Sequence, residues 1–196
     1  MRELRLAVLG STRGSNLIPL SRKLKEKNIP FRIEAVISNR ADAGILQRAR
    51  EQECPAFYLS AAGLERDVYD QQLSQHLQTL AVDLVILIGY MRILSTGFVE
   101  QWRHRILNVH PSLLPAFAGL MDKEVHQAVL DAGVSETGCT VHEVNEELDG
   151  GPVLIQKTCP VYADDTVDKL KTRVQQLEAD ALSDAIQLIY QRNYHV

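Results

Sequence analysis

The 196-residue sequence has no excess of basic charge: 21 lysines and arginines face 25 aspartates and glutamates, for a formal net charge of −4. That balance argues against a general nucleic-acid binder, whose phosphate contacts need a basic field. It leaves small anionic substrates open, because one pocket can be positive on an acidic protein. Cysteine is scarce: Cys54, Cys139 and Cys159 are scattered, with no C-x-x-C spacing. Neither a zinc site nor a secreted disulfide framework is expected from an odd, dispersed set, and thiols of this kind suit a reducing cytosol. No signal-peptide region precedes the first strand pattern, and the longest apolar stretch, around residues 84–90, is far too short to cross a bilayer. Repeats, low-complexity tracts and Pro/Ser-rich linkers are also missing. These absences predict one domain over residues 1–196, cytoplasmic, with small-molecule substrates, no nucleic acid, no membrane and no metal. They leave monomer and homodimer equally open.

What is present is alternation. Residues 4–10 read as a buried strand and 16–27 as a helix, with Pro19 in the first turn, where its missing N–H costs nothing. A strand at 31–38, a helix at 43–53 with Asp42 as N-cap, a short strand at 56–59 and a helix at 64–80 follow. Residues 83–88 lack polar alternation, as expected of a central parallel strand covered on both faces. A helix at 96–102 leads to a strand at 105–110. The last third offers strands at 137–144 and 152–162 joined by an acidic turn, then a closing helix at 166–191. This order predicts an α/β protein with a doubly wound, mostly parallel sheet and helices on both faces.

In such sheets ligands bind beyond the carboxyl ends of the strands, which selects four segments. Ser11-Thr12-Arg13-Gly14-Ser15-Asn16 opens a helix; its glycine, hydroxyls and unpaired N–H groups suit a phosphate, although it is neither G-x-G-x-x-G nor a P-loop. As a sequence segment alone it reads more readily as an ordinary turn with a capping Ser or Asn. Gly89-Tyr90-Met91-Arg92-Ile93-Leu94 follows the central strand, and by itself is a loop-edge arginine beside core residues. In Asn108-Val109-His110-Pro111, residues two apart project to one face, so an amide donor and an imidazole can converge on one substrate. Asn145-Glu146-Glu147-Leu148-Asp149-Gly150-Gly151-Pro152 is a glycine-set turn. Its Asp149, brought beside His110, would favour and orient the imidazolium.

Together these segments resemble the folate-dependent glycinamide ribonucleotide formyltransferase family. The matching features are Ser11 with residues 12–16, Ser38-Asn39-Arg40-Ala41-Asp42-Ala43, Met91-Arg92-Ile93-Leu94, Asn108-Val109-His110-Pro111-Ser112-Leu113-Leu114-Pro115 and Glu147-Leu148-Asp149-Gly150-Gly151-Pro152. They occur in the family's order over nearly the whole chain. The resemblance implies a formyltransferase fold and transfer of a formyl group from 10-formyltetrahydrofolate to the amine of glycinamide ribonucleotide, with no metal. It implies Asn108, His110 and Asp149 as the catalytic trio. Gly14, Ser15 and Asn16, with Arg13 as an added phosphate contact, would hold the ribonucleotide, as would Glu178 of the closing helix. Arg66, Met91, Arg92, Ile93, Leu94, Asn108, Asn145, Glu146, Glu147, Leu148 and Asp149 would form the folate site. Thr12 stands where the family loop has its first glycine. After Pro115 the family's two histidines around a Gly-Leu pair give way to a different stretch ending at His126. Other formyl-group enzymes, which carry further domains, and a non-enzymatic nucleotide-binding module are the alternatives.

Overall fold

In β1 (Leu4–Leu9) alternate side chains enter two different cores. Leu4, Leu6 and Val8 belong to one buried cluster, and Ala7 and Leu9 to the other. A strand apolar at both parities must be covered on both faces, and the rest of the chain supplies the covers. The computed structural model describes residues 2–194. It runs α1 (Leu17–Glu26), β2 (Phe31–Ser38), α2 (Gly44–Glu51), β3 (Ala56–Tyr58), α3 (Arg66–Thr79), β4 (Leu84–Leu87), α4 (Thr96–Gln101) and β5 (Ile106–His110). Then come α5 (Lys123–Asp131), β6 (Glu136–Glu143), β7 (Val153–Pro160) and α6 (Val167–Tyr194). The strands form one seven-stranded sheet in the order β3-β2-β1-β4-β5-β6-β7. Pairings among β1 to β5 are parallel, and β6 and β7 are antiparallel additions.

One core cluster draws on α1, α2, α5 and α6, the other on α3 and α4. The expected doubly wound architecture is therefore present, as are all the expected elements, with ends within a few residues. Parity breaks once. In β2, Ile33 packs with one cluster but Ala35 with the other, because the β1–β2 register shifts between Leu6 and Ala7. The chain leaves β1 toward β2 and β3, then returns on the other side through β4 and β5. The reversal between β1 and β4 is the crevice where such sheets bind ligands.

Two expectations fail. α5 was not foreseen; its Val125 and Val129, four residues apart, are fully buried and provide its inner stripe. Asp42 does not cap α2: the N-cap position is Ala43, without a side-chain cap bond. Asp42 lies one residue before that position, and its carboxylate takes both Arg40 bonds, 3.2 Å from Nε and 3.1 Å from Nη2. Cys139 and Cys159 are buried, Cys54 is half-buried, and all three are unbridged. Burial pushes the Cys139 thiol up to about 12, so it stays protonated and unreactive. Among the described residues no helix is long and apolar enough to cross a membrane.

Candidate active site

A single hydroxyl joins three strand ends at the crevice. Ser11, just past β1, donates to Asn39 Oδ1 beyond β2 at 2.6 Å and accepts from the Met91 N–H beyond β4 at 3.0 Å. The backbone adds Ser11 N–H to the Gly89 carbonyl at 3.0 Å. Above this junction opens a cavity of about 400 Å³. Its floor on one side is residues 12–16. Gly14 has φ +68°, and a Cβ there would lie 2.3 Å from Ile45, so only glycine lets the turn close against α2. Asn16 occupies the N-cap of α1 but makes no side-chain cap bond. Its amide instead donates to Glu178 Oε2 on α6, in a buried contact. A capping asparagine would have turned inward; this one is committed to a carboxylate in the cavity wall. Burial raises the Glu178 carboxyl above its ordinary value, while the Asn16 bond works the other way.

The opposite wall is the 91–94 segment. Ser95 pins its end: its N–H donates to Asp70 Oδ2 at 2.5 Å, and its hydroxyl caps α4 by accepting from Phe98 N–H. The Arg92 guanidinium lies 4.6 Å over the Tyr69 ring, while Met91 and Ile93 remain exposed. This wall thus offers backbone and apolar surface.

Between the walls stand the polar groups of β5 and β6. The antiparallel register sets Asn108 opposite His142, and Asn108 Nδ2 lies 3.2 Å from His142 Nε2. His142 Nδ1 faces the Glu143 carbonyl at 2.9 Å, which fixes the ring. The β6–β7 connection folds back over this face. Asn145 Oδ1 accepts from Glu147 N–H at 3.0 Å, a local turn that sets Asp149 at φ +53°. The Asp149 carboxylate then spans both imidazoles, Oδ2 3.3 Å from His110 Nδ1 and Oδ1 3.5 Å from His142 Nε2. Gly119 N–H donates to Oδ2 at 2.9 Å. All three side chains are under 10 % exposed: His110 4 %, His142 2 %, Asp149 8 %.

Burial pushes the Asp149 carboxyl upward, but the neighbouring His142, the Gly119 N–H and the neighbouring His110 overcome it and hold the group below its ordinary value. For His110 the expected pull of Asp149 is present but is not the largest effect. Nδ1 faces Asp149 and Nε2 lies 3.1 Å from the Phe117 carbonyl, an arrangement satisfied in full only by the imidazolium. Burial nevertheless outweighs both and lowers its pKa. Asp149 therefore orients His110 and favours its charged form, but desolvation in this enclosed place works against that charge more strongly.

His126, on α5, also lines the cavity. Burial first, and Lys171 second, push it down to about 4, against a small upward pull from Asp122. The unfolded chain takes up a proton near 6.5 that the folded chain refuses until about 4. This stabilisation is thus complete above pH 6.5 and is lost as the pH falls toward 4. Urea midpoints at about pH 7.5 and about pH 4.5 are expected to differ less in His126→Gln than in the unmodified protein, by at most about 3 kcal/mol. Equal differences in the two proteins would remove His126 as a source of acid sensitivity.

The cavity gathers Arg13, Gly14, Ser15, Asn16, Met91, Arg92, Ile93, Leu94, Asn108, His110, Asn145, Glu146, Glu147, Leu148, Asp149 and Glu178. Arg66 is the exception. It is the exposed first residue of α3 and is not among the lining residues; its charge bears instead on Asp70, four residues on along the helix. Sequence reasoning missed His142, which only strand register brings beside Asn108. It also missed Lys171, whose place follows from counting back seven residues, two helical turns, from Glu178. No group of three His, Cys, Asp or Glu side chains placed to hold a metal ion occurs among the described residues.

A model of the family described as formyl transferase matches residues 4–186. The phosphoribosylglycinamide formyltransferase of Escherichia coli is 42 % identical over 174 residues, 88 % of this chain and 81 % of that protein. The enzyme of the same name from Haemophilus influenzae is 40 % identical over 89 % of this chain and 81 % of its own length. The human trifunctional purine biosynthetic protein adenosine-3 is 39 % identical over 96 % of this chain, which corresponds to 18 % of that larger protein. Glycinamide ribonucleotide transformylase 1 of Symbiobacterium toebii superposes with a TM-score of 0.91 at 40 % identity, covering 97 % of this chain and 89 % of that structure. The match runs from the first strand into the closing helix and takes in every loop that builds the cavity, so this chain is an enzyme of the formyl transferase family.

Proposed function

We propose that this enzyme transfers the formyl group of 10-formyltetrahydrofolate to the amine of glycinamide ribonucleotide, in the cytoplasm and within one domain, as a step of purine biosynthesis. One observation carries the reading: the Asn108, His110 and Asp149 groups share a single cavity with the Gly14 turn on one side and the 91–94 wall on the other. The first side suits a phosphate-bearing amine through its backbone N–H groups. The second suits a flat heteroaromatic donor, through apolar side chains and the backbone edges of residues 91–94 and 145–149.

The amine nitrogen attacks the formyl carbon, forming a C–N bond and leaving the carbonyl oxygen as an oxyanion. An asparagine amide carries two N–H donors. One is engaged by His142 Nε2, so the other is available to that oxygen. His110 supplies the second donor when its Nε2–H leaves the Phe117 carbonyl for that oxygen. Its proton affinity is lowered by burial in the free enzyme and rises when negative charge develops beside it, so its hydrogen bond to that oxygen strengthens as the oxyanion forms. Asp149 keeps the ring aimed and helps move the proton from the attacking amine to the folate nitrogen as the bond from carbon to that nitrogen breaks. The balance is an amide on the acceptor and an N–H on tetrahydrofolate.

A two-substrate assay tests this. With both substrates, formylglycinamide ribonucleotide and tetrahydrofolate are expected in equal amounts, and omitting glycinamide ribonucleotide should stop tetrahydrofolate production. Formate released without the acceptor would replace transfer by hydrolysis.

A further inference from the structure

Lys171 is a lining cation with no part in the chemistry proposed for the site. The charged side chains around the cavity are Arg13, Arg92 and Lys171 against Asp122, Glu146, Glu147, Asp149 and Glu178. An anionic ligand entering a lining richer in acid than in base depends on each cation it meets. Arg92 is occupied at the far wall, over Tyr69. Lys171 stands on α6 with Gln175 and Glu178. Spacings of four and three residues set the three along one helix face, and all three line the cavity. Glu178 in turn holds Asn16 of the Gly14 turn. Lys171 is close enough to lower both the Glu178 and the His126 pKa.

The Lys171 ammonium is paired with the Asp122 carboxylate. Lys171 is 26 % exposed and Asp122 55 %; so open a pair is held weakly in water. A phosphate carrying nearly two charges and three acceptor oxygens is the stronger partner for the same ammonium. Asp122 sits at the start of α5 with φ +49° and makes no cap bond to that helix. A non-glycine residue in this backbone region needs support from its surroundings, and the Lys171 pair provides some.

We propose that Lys171 is a phosphate-binding, specificity-determining residue of the ribonucleotide site, and that Asp122 is its internal counter-ion, displaced when the ligand's phosphate arrives. The identity of the phosphate carrier rests on the function proposed above; the exchange of partners does not. Lys171 thereby selects a phosphorylated acceptor over the same ribosyl glycinamide lacking phosphate, and couples that choice to residues 119–122.

The test has two arms on the intact protein. Calorimetry with ribose 5-phosphate reads the site without turnover: Lys171→Met is expected to weaken binding about tenfold or more, Lys171→Arg to restore most of it, and Asp122→Asn to tighten it. Steady-state kinetics should show the KM for glycinamide ribonucleotide moving in the same directions, with kcat within about twofold and the folate KM unchanged. The dephosphorylated acceptor should be insensitive to all three substitutions. Unchanged binding in Lys171→Met overturns the proposal. So does equal weakening in Lys171→Met and Asp122→Asn, which would make the pair only a brace between α5 and α6. If the unmodified enzyme transfers no formyl group to glycinamide ribonucleotide, the functional proposal fails while the ribose 5-phosphate arm still decides the role of Lys171.

Discussion

Asn108→Ala is expected to lower kcat by about 10²- to 10³-fold, with little change in the KM of either substrate. The amide is half-buried and fixed by the imidazole opposite it, so its free N–H is oriented before the reaction starts. A donor held this way contributes most where charge develops, and removing one such donor typically costs about 3–4 kcal/mol of barrier. His110→Ala should produce a loss of similar size, and the double variant should be far from the sum, because in the proposed mechanism the two donors serve one oxygen. Asn108→Asp should be worse than Asn108→Ala, since it sets a second carboxylate beside Asp149 and opposite the forming oxyanion. Steady-state turnover at saturating substrates measures all of these. Near-normal kcat in either single variant would remove that residue from the chemistry.

Gly151→Ala should cost about 4 kcal/mol or more of stability and take activity with it. A Cβ at this position would lie 1.7 Å from the Glu143 carbonyl oxygen and 2.9 Å from its carbon. Both are backbone, so no side chain can swing away. The Glu143 N–H to Pro152 carbonyl bond, at 2.9 Å, closes the same hairpin and would have to open. The neighbour is an internal control: a Cβ on Gly150 meets the Glu147 side chain, 2.5 Å from Cγ, and that exposed chain can move. Gly150→Ala should therefore stay within about 1 kcal/mol. Urea midpoints of the two variants give the comparison, and equal midpoints would show that the hairpin yields more easily than its geometry indicates.

How far the sequence carried depends on what kind of fact was wanted. Buried strands such as Leu84–Leu87 declare themselves by continuous apolar runs, and the same-face rule was enough to pair Asn108 with His110. His142 was hidden because its nearness to Asn108 follows from an antiparallel register between segments over thirty residues apart. α5 was hidden because its start has no capping residue in use: Asp122 spends its carboxylate on Lys171. Its Val125 and Val129 spacing was visible but short. The direction of the His110 shift is a different matter. A carboxylate partner can be guessed from sequence, but the loss of solvent that outweighs it is a property of the whole enclosure.

The Ser11 hydroxyl bridges the ends of β1, β2 and β4 while the cavity's two sides grow from its two flanks. A substrate that shifted one of these loops would therefore act on the other through a shared hydroxyl. By thermodynamic reciprocity, whatever factor the donor contributes to acceptor affinity, the acceptor must return to the donor. Any such coupling would run through one oxygen atom's two hydrogen bonds, in a residue that is not itself part of the cavity lining.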